Sequence, residues 1–426
     1  MDTTRSSSPT DTTRPLPRWT AGKRTASAIA GAPCANSWKA ALAEDWQLGG
    51  FGLYIHWPFC AAKCPYCDFN SHVARRIDET RWKAAYLGEL DRVAAELPGR
   101  VLNTVFFGGG TPSLMSPDTV AAILERVRRL WPVANDLEVT LEANPGSVEA
   151  GKFHGFRQAG ITRISMGIQA LNDTDLRKLG RIHTAAEAMA AFDVARKAFD
   201  RVSFDLIYAR QDQSVAAWRA ELKQALSMAI DHISLYQLTI EDGTAFGDRY
   251  RVGKLRGLPD DDSAAEMYEA TTELCDAAGF RRYEVSNHAR PGSEARHNLI
   301  YWRYGDYAGI GPGAHGRITL EGRRHATETH LMPGAWLSAA ERGSGESLRM
   351  ALSPVEQAQE YAMMSLRIAD GLDIERHARL SGERIAQNVV DDLAEMGMIR
   401  QDGSIIIVTN QGLAVLNAVI ARLLGA

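Results

Sequence analysis

From residue 51 onward, short apolar runs alternate with longer stretches of helical periodicity. The runs are Phe51–His56, Asn103–Phe107, Leu137–Glu142, Thr162–Gly167, Val202–Ile207 and His232–Tyr236. Between them lie Glu79–Leu97, Pro117–Leu130, Val148–Gln158, Ala185–Ala198 and Ser214–Ala229, whose apolar residues recur mostly at helical spacing. Such alternation implies parallel strands joined by crossover helices. Six units predict an α/β fold, a partial (β/α)6 TIM-like barrel over residues 49–285. In barrels, chemistry sits where strands end and loops begin. The polar and glycine motifs described below follow the predicted strands directly.

Beyond residue 240 the rhythm weakens, and residues 286–345, rich in aromatics and glycines, read as a linker segment. Residues 346–426 change character again. Pro354–Ala369 reads as a helix, Ile374–Leu380 and Gly382–Met396 as a helix-turn-helix-like pair, Met398–Arg400 and Ser404–Val408 as a hairpin turning at Asp402-Gly403, and Asn410–Leu424 as a closing helix. This predicts a C-terminal α+β region that is winged-helix-like. Seven Arg and no Lys against eleven Asp plus Glu there give the wrong sign for phosphate contacts, so no nucleic-acid partner is expected. Residues 1–48, rich in Ser, Thr, Pro and Arg, read as a disordered extension. Their low acidity is a trait of organellar transit peptides, but Asp2, Asp11 and frequent prolines favour a plain extension.

Composition adds little beyond a soluble globular class: 45% hydrophobic and 23% charged over 426 residues, with a net charge of -4. No run approaches the roughly 18 consecutive apolar residues of a spanning helix, and no apolar stretch follows the N-terminal charges as in a secretory signal. A cytoplasmic protein with no transmembrane segment is expected. Five cysteines cannot staple a chain this long, yet Cys60, Cys64 and Cys67 fall within eight residues. Cys34 and Cys275 carry no assigned role.

The stretch Tyr54-Ile-His-Trp-Pro-Phe-Cys60-Ala-Ala-Lys-Cys64-Pro-Tyr-Cys67-Asp-Phe69 follows the first predicted strand. Three thiolates in one loop can turn onto a compact cofactor. Structural zinc normally takes four ligands, often as two separated pairs, although His56 or His72 could complete such a site. A 4Fe-4S cluster on three cysteines leaves one iron without a protein ligand, as a substrate-binding cluster requires. The loop matches the CxxxCxxC signature and so resembles the radical S-adenosylmethionine (SAM) superfamily. That resemblance implies that Cys60, Cys64 and Cys67 hold the cluster, that SAM chelates the open iron, and that an electron from the cluster cleaves the sulfonium to a 5′-deoxyadenosyl radical.

Further segments extend the resemblance along the chain. Phe107-Gly108-Gly109-Gly110-Thr111-Pro112-Ser113 follows the second strand, where glycines let backbone approach a ligand closely. Glu142 stands in Leu-Glu-Ala-Asn-Pro, Gln169 in Ser-Met-Gly-Ile-Gln, Arg181 in Leu-Gly-Arg-Ile-His and Asp205 in Phe-Asp-Leu-Ile-Tyr. In this order they resemble the coproporphyrinogen oxidase-like subfamily over about residues 50–425. The resemblance implies that SAM is bound by Tyr54, Tyr66, Gly109, Gly110, Thr111, Glu142, Gln169, Arg181 and Asp205.

Within that subfamily, oxygen-independent coproporphyrinogen III dehydrogenases carry a further cysteine two residues past the cluster motif, where this chain has Phe69. The segment Lys63–Ser71 looks instead like the heme-chaperone branch, HemW, and His297-Asn298-Leu-Ile-Tyr301-Trp302 matches that branch's HNxxYW motif. Heme contact is thus expected at His297, Asn298, Tyr301 and Trp302: an imidazole for iron, flat faces for porphyrin. Arg296 and Arg303 are candidates for propionates. The implied activity is delivery of heme to a respiratory acceptor protein, with a homodimer as a possible assembly; the alternative is the dehydrogenase, in which the adenosyl radical abstracts hydrogen from propionates before decarboxylation. One segment departs from the family: Ala209-Arg-Gln-Asp212 stands where Gly-Leu-Pro-Gly is usual. Gly309-Ile-Gly-Pro-Gly-Ala-His315 resembles a glycine segment near the cofactor, with His315 a further candidate.

Overall fold

The computed structural model describes residues 45–425. Cys34 and the rest of residues 1–44 lie outside the described residues. Residues 45–48, which the sequence assigns to the loose extension, instead form a 3-10 turn, Asp45–Leu48. Its Asp45 meets Arg376 at 2.8 Å, and Trp46 lies under the Arg100 guanidinium, 4.3 Å from the ring centroid. Both contacts are distant in sequence, so local composition could not show them.

Strand β1 (Phe51–Trp57) sets the pattern of the domain. Phe51, Leu53, Ile55 and Trp57 are buried in the main core, while Gly52, Tyr54 and His56 point to the opposite face, which becomes the barrel lumen. Strands β2 (Leu102–Gly109), β3 (Val133–Ala143), β4 (Arg163–Gln169), β5 (Arg201–Tyr208) and β6 (His232–Gln237) follow side by side in chain order, all parallel. The crossover helices α1 (Glu79–Glu96), α2 (Pro117–Leu130), α3 (Phe153–Ala159), α4 (Ala185–Ala198) and α5 (Val215–Met228) share that core. Their starts are chemically marked: Ser116 caps α2 with Pro117 at its first position, and Thr184 with Glu187 forms a capping box on α4. The stretch expected as one helix from Val148 is broken at Gly151, and α3 begins only at Phe153. Lys152 at the break donates to the carbonyls of Ser113, Leu114 and Met115 at 3.0–3.2 Å, which fixes the kink. Helix α6 (Asp261–Ala277) packs on α5.

Residues 286–345 are not a linker. Strand β7 (Asn287–Ala289) pairs antiparallel with β6, α7 (Arg296–Trp302) follows, and β8 (Asp306–Ile310) returns to pair parallel with the free edge of β1. Strands β9 (His315–Leu320), β10 (Arg323–Thr329) and β11 (Glu346–Ala351) extend the same twelve-stranded sheet antiparallel, and α8 (Pro333–Glu341) packs on α1. The glycines that suggested looseness mark close approach instead. A Cβ on Gly49 would fall 2.3 Å from the nitrogen of Gly305, and one on Gly305 would fall 2.6 Å from the Gly50 carbonyl oxygen.

The C-terminal region has its own core, including Tyr361, Leu372, Leu380, Leu393, Ile406 and Ile420. It comprises α9 (Pro354–Ser365), α10 (Ile374–Ser381), α11 (Gln387–Glu395), the hairpin β12 (Ile399–Asp402) and β13 (Ile405–Val408), and α12 (Leu416–Leu423). Leu372–Asp373 adds a third strand beside β13. The second helix of the pair starts at Gln387 rather than Gly382, because Gly382 adopts φ 81 and ends α10. No helix among the described residues is long and apolar enough to cross a membrane.

Candidate functional site

The cysteine loop leaves β1 and is stitched to the glycine segment after β2. Gly110 N–H donates to the Trp57 carbonyl at 2.7 Å, and Thr111 N–H to the Phe59 carbonyl at 2.8 Å. Only glycine fits this crossing: a Cβ on Gly109, whose φ is +109, would lie 2.5 Å from the His56 ring, and one on Gly110 would lie 2.7 Å from the Phe59 oxygen. Cys60, Cys64 and Cys67 are free and partly buried. The Thr111 hydroxyl donates to Cys60 Sγ at 3.4 Å, Arg181 Nη1 to Cys64 Sγ at 3.3 Å, and Cys67 Sγ lies 3.9 Å from Ser71 Oγ. Burial pushes the Cys60 and Cys67 thiols up from their ordinary values. No three His, Cys, Asp or Glu side chains among the described residues converge to hold one metal ion. A cubane needs a different arrangement, one thiolate on each of several irons.

Asn144, which sequence reasoning quoted but did not single out, completes this network. Its amide donates to Thr111 Oγ1 at 3.2 Å, and its carbonyl accepts from Arg181 Nη2 at 2.7 Å. Cys60 and Cys64 are thereby joined through Thr111, Asn144 and Arg181. The available signal was chemical: a carboxamide both donates and accepts, and it sits two residues past Glu142. His56 was also missed as a support. Its Nε2 meets the Asn70 carbonyl oxygen at 2.9 Å, its Nδ1 meets the Tyr54 hydroxyl at 3.1 Å, and burial lowers its pKa. Asn70 in turn donates to the carbonyls of Pro312 and Leu331 at 2.9 and 2.8 Å. The Gly309–His315 segment therefore braces the cysteine loop, although His315 itself is exposed, 3.9 Å from Glu328.

The remaining expected positions gather at the C-terminal ends of the strands. Glu142, near the end of β3, accepts the Gly109 N–H at 3.2 Å. Desolvation, reinforced by Asp205, raises its pKa to about 8. Asp205 on β5 accepts from Ser165 Oγ at 3.2 Å and is raised by burial to about 6. Gln169 ends β4 at φ 73, and its buried Oε1 has no hydrogen-bond partner among the described residues. An orphaned buried acceptor costs about 1–3 kcal/mol, so a ligand donor there would remove the penalty. Tyr66 packs on Leu176, Leu179 and Ile207 and on Phe246, 6.3 Å between ring centroids. Glycine backbone, orphaned acceptor, paired carboxyls and thiol triplet form a donor set that suits a cluster and a nucleoside-bearing cofactor.

The HNxxYW helix α7 occupies the lower lumen. His297 is 1% exposed; its Nδ1 lies 2.7 Å from Thr104 Oγ1 and its Nε2 2.6 Å from the Tyr301 hydroxyl. Desolvation alone lowers its pKa to about 3, so the ring is neutral. It stacks on Phe106 at 5.0 Å, and Phe106 stacks on Tyr54 at 6.2 Å. An aromatic column thus links α7 to the cysteine loop. Asn298, Tyr301 and Trp302 are partly buried. Arg296 is bonded to Asp136, and Arg303 to Asp370 at 2.7 Å, so both propionate candidates already carry carboxylate partners. At the divergent segment, Ala209 and Asp212 hold φ 57 and 59, the left-handed geometry that glycines would favour. Arg210 between them is buried and paired with Asp175 and Glu221 at 2.8 and 2.5 Å. These ion pairs anchor the loop without its glycines.

A thiol triplet in the first loop of a parallel six-stranded barrel, facing carboxyls at the strand ends, defines the radical SAM class. The Radical SAM superfamily model matches residues 54–217, and the HemN C-terminal domain model matches residues 352–415. The chain is 37% identical over 385 residues to the heme chaperone HemW of Mycobacterium tuberculosis, covering 88% of this chain and 95% of that one. It is 39% identical over 384 residues to the mitochondrial radical S-adenosyl methionine domain-containing protein 1 of Bos taurus, covering 87% of each. Its fold matches the coproporphyrinogen III oxidase HemN of Escherichia coli with a TM-score of 0.74 at 21% identity, over 92% of this chain and 93% of that one. The chain belongs to the HemW branch of the HemN-like radical SAM family. The radical SAM domain implies a 4Fe-4S cluster and SAM.

Proposed function

We propose that this protein binds heme and delivers it to a heme-accepting, respiratory protein, holding a 4Fe-4S cluster on Cys60, Cys64 and Cys67 with SAM beside it. One observation carries the choice over the dehydrogenase: the position two residues past Cys67 holds Phe69, a side chain that cannot ligate iron and is 59% exposed. When bound, the cluster supplies an electron for cleavage of the SAM sulfonium. Arg181 and Thr111 donate to the cluster thiolates and fix their orientation. The backbone of Gly109 and Gly110 offers close approach to the methionine end of SAM, Glu142 and Asp205 accept from its hydroxyls, and Gln169 Oε1 takes a further donor. Tyr54 and Tyr66 wall the site. Heme meets α7 at His297, Asn298, Tyr301 and Trp302, and ligation by His297 requires release of its Tyr301 contact.

The test pairs two assays on anaerobically reconstituted protein. Mixed with hemin and passed over gel filtration, the protein is expected to retain heme. Given coproporphyrinogen III, SAM and a reductant, it is expected to leave the propionates intact; conversion to protoporphyrinogen overturns the chaperone reading.

A further inference from the structure

The opposite end of the barrel carries a second polar cleft. Arg163 and Arg201 open β4 and β5 in direct register, and Thr140 on β3 pairs with Arg163. Beside them, at the N-terminal ends of the strands, lies a cavity of about 470 Å³ lined by Arg128, Arg163, Arg201 and Arg296 against the carboxylates Asp136 and Glu138. The volume is in the range of small-molecule sites.

The hydrogen-bonding accounts here do not close. The Arg163 side chain is 3% exposed, yet its guanidinium donates no hydrogen bond among the described residues; its nearest carboxylate, Glu138, is 3.7 Å away. Thr140 Oγ1, Asp231 Oδ1 and His232 Nδ1 are also buried without hydrogen-bond partners among the described residues. A buried guanidinium nitrogen with no hydrogen-bond acceptor is rare in a folded protein, and with Glu138 only at 3.7 Å it leaves Arg163 able to take a closer acceptor. Arg128 lies over Gly160 and forms no ion pair among the described residues. Arg296 and Arg201 are held in place by Asp136 and Asp231, so two pinned guanidiniums, Arg163 with one long contact to Glu138, and Arg128 with no ion pair among the described residues face one cleft.

We infer that this cleft binds a small ligand through an oxyanion group, a carboxylate or a phosphate, received by Arg163 and Arg128. Planar guanidiniums accept both groups through paired N–H donors. The site lies at the far end of the strands from the cysteine loop and does not depend on the heme reading. It adjoins α7, because Arg296 lines it and Glu138 accepts the His297 N–H at 3.2 Å.

The test titrates inorganic phosphate and, separately, succinate into the full chain at ionic strength balanced with chloride, read by thermal unfolding and calorimetry. At least one anion is expected to give a saturable rise in Tm. Arg163→Met is expected to abolish that rise, read against the variant's own ligand-free Tm, which is expected to fall because buried Glu138 loses its partner at 3.7 Å. Arg128→Ala, at an exposed position, is expected to weaken binding about tenfold. A response to phosphate alone assigns a phosphoryl ligand, and a response to succinate alone assigns a carboxylate; either supports the site. No saturable response in the wild-type chain overturns it, as does an equal response in both variants, which is the general effect of excluded salts.

Discussion

One turn of α7 places the Tyr301 hydroxyl 2.6 Å from His297 Nε2. With Nδ1 held by Thr104 at 2.7 Å, neither nitrogen is free for iron, and heme ligation must displace a hydrogen bond. Tyr301→Phe is therefore expected to tighten hemin binding, by roughly fivefold for a hydrogen bond of about 1 kcal/mol. His297→Ala is expected to weaken it. Soret titrations measure both, and equal affinities in wild type and Tyr301→Phe would remove His297 Nε2 from the heme site. Because burial holds the His297 pKa at about 3, proton competition is expected to be absent down to about pH 5, well below the ordinary histidine value near 6.5.

Arg181 stands between the thiol loop and the lumen, donating to Cys64 Sγ, the Asn144 carbonyl and the Gly167 carbonyl. Lysine keeps the charge but not the fork. Arg181→Lys is expected to retain cluster iron and sulfide while weakening SAM about tenfold, the worth of one charge-assisted bond. Anaerobic equilibrium dialysis, with iron and sulfide assays on the same sample, separates the two effects. Cys64→Ser is expected to lose both.

The six parallel strands were readable because each core-facing run, such as Phe51, Leu53 and Ile55, keeps strict alternation, and the helices between carry caps such as Thr184 with Glu187. The cysteine triplet was readable because its three ligands are local. What escaped depends on distant partners. Asn144 gains meaning only beside Thr111 and Arg181, and the strand at Asp306 looked like linker because its burial rests on Arg100 and Thr319, contacts at 2.6 and 3.1 Å from far along the chain. The break before Phe153 rests likewise on a side chain, Lys152, reaching carbonyls in another loop.

Asp45 and Arg376 form a mostly buried ion pair between the turn before β1 and the C-terminal region, and Arg376 also donates to the Arg303 carbonyl at 2.9 Å and lies 4.3 Å from the Tyr361 ring centroid. Removing the carboxylate leaves a desolvated guanidinium short of its charge partner. Asp45→Ala is expected to destabilise by about 2 kcal/mol and to hasten proteolysis within α9–α12 before the barrel is cut. Limited proteolysis followed by mass spectrometry reads the order of cleavage.

Glu142 should reveal itself through opposite effects on stability and binding. Its pKa is about 8 in the folded protein, against 4.5 ordinarily, because burial and Asp205 disfavour the charged form. Between those values the folded chain binds more protons than the unfolded chain, so stability contributed by this site falls as pH rises through the window. Glutamine has no such proton to lose. Glu142→Gln is therefore expected to match wild type in Tm near the lower limit of the window and to become progressively more stable toward its upper limit. The Asp205 contribution, confined between 3.8 and about 6, remains in both proteins. SAM affinity is expected to move the other way, falling about tenfold above about pH 8, where wild type carries the carboxylate acceptor that glutamine lacks. The wild-type chain would thus keep a destabilising carboxyl for the sake of its ligand. A Tm difference that does not change with pH would sink the assignment of Glu142 as a strained, ligand-directed group.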